Sequence, residues 1–255
     1  MPISPGAQPW AHDGGPVAVL LVHGFLGSPQ VMRPWGRALA SRGMTVRIPR
    51  LPGHGTSWRE ANLTRWEDWY AEVDRTLTHL RAEHPVVVAA GLGTGATLVL
   101  RLAQRRPDEL AGIVLVNPSI SGEDPRDAAI PLVSRAVASW PAAAPDIRDP
   151  DAATLAMPDR VPSRALASLP DLWRVVRPDV PAVRTPALIV TSAEDHVVDP
   201  ADGDWIASTL GSTDVTRMVL ASSYHLAPLD CDREALFEAS AAFVARVTAQ
   251  VDAHG

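Results

Sequence analysis

Apolar residues cluster in short runs at 17–23 (VAVLLVH), 44–48, 86–90, 113–116, 187–191 and 215–220. Several of these runs are continuous rather than alternating, the pattern of parallel strands covered on both faces by crossover helices. The stretches between them keep helical spacing. Over 64–84 the apolar positions Trp66, Trp69, Tyr70, Val73, Leu77 and Leu80 stand at offsets 0, 3, 4, 7, 11 and 14 and line one helical face. Further helices are predicted after Pro29 and over about 94–106, 201–210 and 234–251. This βα alternation predicts a three-layer α/β sandwich around a mainly parallel sheet.

One stretch breaks the alternation. From Pro118 to Pro181 the chain carries eleven of its twenty-four prolines, too closely spaced for long helices. Short amphipathic pieces at 130–140 and 164–169 predict a helical, proline-rich cap insertion over about 119–181, lying across the end of the sheet and shaping a pocket. The 255 residues otherwise read as a single α/β domain, 1–255.

Composition narrows the partners. Hydrophobic residues make up 46% and charged residues 20%, which excludes a mainly disordered or fibrous chain. Lys and Arg number 23 against 29 Asp and Glu, and no basic cluster interrupts that net charge of -6, so no nucleic-acid partner is expected. Cys231 is the single cysteine, too few for a disulfide or a thiolate metal site. His12, His79, His84 and His254 show no ligand spacing, so neither metal nor cofactor is expected. The first sixteen residues lack a basic segment followed by an apolar one, and the run at 17–22 is far short of a membrane span. These features predict a cytoplasmic chain with no integral membrane association.

Three marks converge at predicted strand ends, where open α/β sheets place their sites. His23-Gly24-Phe25, followed by Leu26-Gly27-Ser28, ends the first long strand. Gly91-Leu92-Gly93-Thr94-Gly95 forms a small-residue turn between a buried strand and a helix. Asp195, in SAEDHVVDP, and His225, in SSYHLAPLD, follow the last two strands. In this order, and with the LPGHG loop at 51–55, the chain resembles the α/β-hydrolase superfamily, and within it the bacterial carboxylesterase and monoacylglycerol lipase branch.

That resemblance implies a sandwich fold, carboxylic esters with an apolar acyl group as ligands, and roles for particular residues. His225 would be the base and Asp195 its orienting acid, with the backbone N–H groups of Phe25 and Thr94 as oxyanion donors. The nucleophile elbow G-x-S-x-G, however, has glycine at its centre, Gly93. In serine hydrolases loss of the nucleophile costs about 10⁶ in turnover, so hydrolysis is expected to be impaired or lost. Thr94, Ser119, Ser222, Ser223 and Cys231 lack elbow context and read as structural. His23 reads as a support beneath the oxyanion turn, while His54 and His196 read as loop residues.

Two functional classes follow. One is an esterase-type hydrolase lacking its usual serine. The other is a non-hydrolytic relative that binds an apolar ligand or uses the His225/Asp195 dyad for acid–base chemistry without a covalent intermediate. A dinucleotide fingerprint also fits Gly91 to Ala96 (GLGTGA), but the following strand ends in Val116 and Asn117 instead of the acidic residue that motif requires.

Overall fold

The computed structural model describes residues 2–120, 125–152 and 157–252. Seven strands form the central sheet: β1 (Trp10–His12), β2 (Val17–Val22), β3 (Thr45–Ile48), β4 (Val86–Leu92), β5 (Gly112–Val116), β8 (Ala187–Ser192) and β9 (Val215–Leu220). Their order is β1-β3-β2-β4-β5-β8-β9, with β1 antiparallel to β3 and every other pair parallel.

The continuous apolar runs divide cleanly between the two faces. In β2, Ala18, Leu20 and Val22 join one core while Val19 and Leu21 join the other; in β4, Val87 and Ala89 oppose Val88, Ala90 and Leu92. The first core is closed by α3 (Trp66–Glu83), α4 (Thr94–Arg105) and α8 (Ala201–Thr209), the second by α1 (Pro29–Ala40) and α9 (Arg233–Asp252). Of the apolar stripe at 64–84, Trp69, Val73, Leu77 and Leu80 are the positions that become buried. A strand covered twice needs apolar residues at every position, because period-2 pleating sends neighbours to opposite faces.

Chain order places the site. From β2 the chain crosses to β3 on one side, then returns past β2 to β4 on the other. The carboxyl ends of β2 and β4 therefore flank a reversal of strand order, where crossover loops leave a crevice.

Between β5 and β8 the chain forms α5 (Pro125–Ala136), the antiparallel pair β6 (Ser139–Pro141) and β7 (Arg160–Pro162), and then α6 (Ser163–Leu166) and α7 (Leu169–Val176). Here the structure departs from the sequence reading in two places. The piece expected to be helical over 130–140 ends its helix at Ala136, and Trp140 pairs with Val161 in a short strand. The piece at 164–169 is split between two helices. Strand β1 was also not expected; three residues, WAH, carry no readable period, and their partner β3 lies over thirty positions downstream. Residues 121–124 and 153–156 of the expected insertion lie outside the described residues. Among the described residues no helix is long and apolar enough to cross a membrane.

Candidate active site

The turn from β4 into α4 is built from backbone contact. Gly93 takes φ 57° and ψ -123°, donates its N–H to the Val116 carbonyl at 2.9 Å, and accepts from the N–H groups of Ala96 and Thr97 at 3.0 and 3.2 Å to start the helix. Glycine holds such a left-handed conformation without the Cβ penalty of other residues. The flanking glycines are fixed by space. A Cβ on Gly91 would overlap the backbone of Gly95, and one on Gly95 would overlap the carbonyls of Val22 and His23. The β2 end and the β4 turn thus touch, backbone to backbone.

His23 fixes the other side of that contact. It is fully buried; Nδ1 donates to the Gly24 carbonyl at 2.9 Å, and Nε2 accepts the Leu51 N–H at 3.2 Å. That pairing holds the HGF turn against the LPGHG loop and defines a neutral tautomer. Burial, helped by the nearby His54, lowers the His23 pKa to about 3. His54 is also buried; its Nδ1 donates to the Pro52 carbonyl at 3.0 Å, and its ring packs edge-on to Trp69 at 5.0 Å between centroids. Burial lowers its pKa to about 4.

Asp195 and His225 meet across the ends of β8 and β9. Asp195 Oδ2 lies 2.8 Å from His225 Nδ1, while Oδ1 accepts the N–H groups of Val197 and Val198, each at 2.8 Å. Burial alone would raise the Asp195 pKa, but the His225 ring and those two N–H groups together hold it below the usual carboxylate value. The other face of the imidazole looks at the β4 turn. An ideal Cβ on Gly93 would lie 3.0 Å from His225 Nε2 and 3.2 Å from Cε1.

A cavity of about 340 Å³ opens in front of these groups. Phe25, Gly93, Thr94, Ser119 and His225 line it, with Ile130, Met157, Leu166, Leu169 and Trp173 supplying apolar walls from the β5–β8 segment. Among the described residues, Asp146 and His225 are the titratable ones that line it. Thr94 occupies the first position of α4, where a backbone N–H has no intrahelical acceptor. The other residues weighed on sequence lie elsewhere. Ser223 is buried and accepts the Asp232 N–H at 2.8 Å, Cys231 is exposed, and the His196 ring turns away to Asp146.

Three supporting residues carried no sequence signal strong enough to single them out. Asn117, at φ 44°, donates through Nδ2 to Ser192 Oγ and the His225 carbonyl, both at 3.0 Å, and its Oδ1 accepts the Ser192 N–H at 2.7 Å. Asparagine is among the residues that tolerate left-handed backbone, so its position at the tip of β5 was the available hint. Asp230, fully buried, accepts the N–H groups of Arg148, Asp149, Tyr224 and Cys231 at 2.7–2.9 Å. Asp146 accepts the N–H groups of His225 and His196 at 3.0 and 3.2 Å.

Comparison with known proteins places this arrangement in the α/β-hydrolases. Residues 16–232 match the Hydrolase_4 profile, described as serine aminopeptidase, S33. The chain belongs to that family. It is 36% identical over 250 residues to a thermostable monoacylglycerol lipase of Bacillus sp. (strain H-257), covering 96% of this chain and 97% of that protein. A carboxylesterase of Bacillus subtilis (strain 168) is 28% identical, covering 89% and 92%. A solved structure from work on LipS and LipT, two metagenome-derived lipolytic enzymes, superposes with a TM-score of 0.91 at 35% identity over 96% of this chain and 100% of that one. A monoacylglycerol lipase structure from Paleococcus ferrophilus, at 19% identity and a TM-score of 0.79 over 94% and 99%, shares the fold.

Proposed function

We propose that this chain is a lipase- and esterase-type hydrolase by descent that binds carboxylic esters with an apolar acyl group. Gly93 stands at the nucleophile position, so the acyl-enzyme route is absent and hydrolysis is impaired or lost. The segment over about 119–181 acts as the cap, and its apolar walls favour a neutral ligand because an unpaired charge placed against them is penalised. The ester carbonyl oxygen sits between the N–H groups of Phe25 and Thr94. His225, oriented by Asp195, takes a proton from a water that attacks the carbonyl carbon, then returns it to the leaving alcohol as the tetrahedral adduct collapses. Asp195 stabilises the imidazolium formed between those steps. No cofactor enters this scheme.

The observation that carries the reading is the direction of position 93: a Cβ there would point at His225 Nε2 from 3.0 Å. The same distance favours a second reading. Contacts of 3.0 Å to a Cβ are tighter than ordinary van der Waals spacing, so the imidazole has settled into room that a side chain would need. A site shaped in that way suits a relative that holds an apolar ligand, or that uses the dyad without a covalent intermediate.

Turnover of a medium-chain nitrophenyl ester by Gly93→Ser, Gly93→Ala and the parent separates the two. Under the first reading Gly93→Ser exceeds the parent by about 10²-fold or more, part of the roughly 10⁶ that a nucleophile contributes, and Gly93→Ala gains nothing. Adding His225→Ala to Gly93→Ser abolishes the gain. A folded Gly93→Ser protein no faster than the parent would establish the second reading.

A further inference from the structure

We infer that Asp146 is a positioning residue that locks the cap segment, the acid loop and the base loop into one unit, so that the alignment of His225 depends on a side chain outside the dyad. The inference rests on the reading of His225 as the base.

Asp146 lies more than forty residues before either loop it fastens, yet both of its carboxylate oxygens and its backbone carbonyl are spent on them. Oδ2 accepts the N–H of His225 at 3.0 Å and the N–H of His196, the residue after Asp195, at 3.2 Å. Oδ1 pairs with His196 Nδ1 at 2.8 Å, and the backbone carbonyl of Asp146 accepts the Leu226 N–H at 3.1 Å. One carboxylate therefore holds the backbone of His225 and of the residue next to Asp195, one on each side of the Asp195–His225 hydrogen bond. Tyr224 closes the joint from outside, with the Arg148 guanidinium over its ring at 4.6 Å and the His196 ring edge-on at 4.6 Å.

The same strand of chain faces the ligand space. Residues 142–145 line the cavity directly before Asp146, and the run is anchored at its start by the Ala142 N–H to the Asp159 carbonyl at 2.9 Å. A molecule filling the cavity bears on this run, and any displacement reaches the His225 backbone through the bond from its N–H to Asp146 Oδ2 and the bond from the Leu226 N–H to the Asp146 carbonyl. A backbone shift of a few tenths of an ångström at His225 changes the angle at which Nδ1 meets Asp195, and hydrogen bonds weaken as that angle departs from linear.

The test uses histidine-labelled protein and the low-field Nδ1–H resonance of His225, assigned by His225→Gln. It requires neither a ligand nor turnover, so its outcome is independent of the ester assay with Gly93→Ser. Loss of the two acceptors in Asp146→Ala should speed exchange of that proton with water by roughly tenfold or more, the equilibrium equivalent of a buried hydrogen bond. Asp146→Asn, which retains one acceptor oxygen, should stay within about threefold of the parent. A residue that merely stiffens the loop would lower the melting temperature and leave the resonance of the folded protein unmoved. If Asp146→Ala does not fold, Asp146→Ser, polar but too short to reach both N–H groups, gives the same reading. Exchange in a folded Asp146→Ala or Asp146→Ser protein within twofold of the parent would overturn the inference.

Discussion

His23 and His54 lie with ring centroids 5.2 Å apart, both buried, with backbone groups as their hydrogen-bond partners. Their pKa values of about 3 and about 4, against an ordinary 6.5, mean that the folded chain refuses protons that the unfolded chain accepts. Their contribution to stability is complete above pH 6.5 and declines as the pH falls from there toward 4. Each should cost about 2 kcal/mol between pH 7 and pH 5, so the melting temperature should drop by roughly 10 °C over that interval. His54→Asn, which keeps a donor for the Pro52 carbonyl, should remove about half of the slope; a melting temperature flat from pH 7 to 5 in the parent would show that these rings titrate normally. Asp195 acts in a separate window, since its lowered pKa makes its share of stability present above the ordinary carboxylate value of 3.8 and lost as the pH falls below it.

At the scale of elements, the turn between β4 and α4 ranks its glycines by what surrounds them. Gly91 and Gly95 face backbone that cannot move aside, whereas Gly93 faces the end of an imidazole. Gly95→Ala should therefore cost about 3 kcal/mol or more in denaturant unfolding, and Gly93→Ala about 1–2 kcal/mol from its left-handed backbone. The reverse order would contradict the packing described. The G-L-G-T-G spacing made this turn legible in the sequence, as doubly covered strands made β2, β4, β5 and β8 legible. Strand β1 and the pair β6–β7 were not, because three-residue strands have no period and owe their existence to partners elsewhere in the chain.

Across the whole molecule, the meeting of Gly93, Asp195 and His225 was legible because open α/β sheets gather strand ends at one edge, while the resemblance to α/β-hydrolases was what singled out these three. The fastenings could not. Asp146 sits in a proline-rich stretch where nothing local marks an aspartate as special, and Asp230 and Asn117 acquire their partners only when β5, β8 and the His225 loop come together. The cavity gives a prediction at the same scale. A ligand that binds only the folded chain stabilises it by about 2.7 kcal/mol at one hundred times its dissociation constant, so 1-monooctanoylglycerol should raise the melting temperature by roughly 5–10 °C in a concentration-dependent way. Replacing Leu169 in the wall by Asp should abolish that shift, and an unchanged melting temperature of the parent at saturating ligand would count against an apolar ester site.

The glycine in the left-handed turn also sets what a side chain at that position would cost. Because the imidazole rests 3.0 Å from where a first side-chain carbon would stand, a return to serine asks for two adjustments at once, a strained backbone and a ring pushed back against its aspartate. Gly93→Ser should therefore unfold at lower denaturant than the parent even where it turns over ester faster, so that reactivity and stability move in opposite directions at this one position.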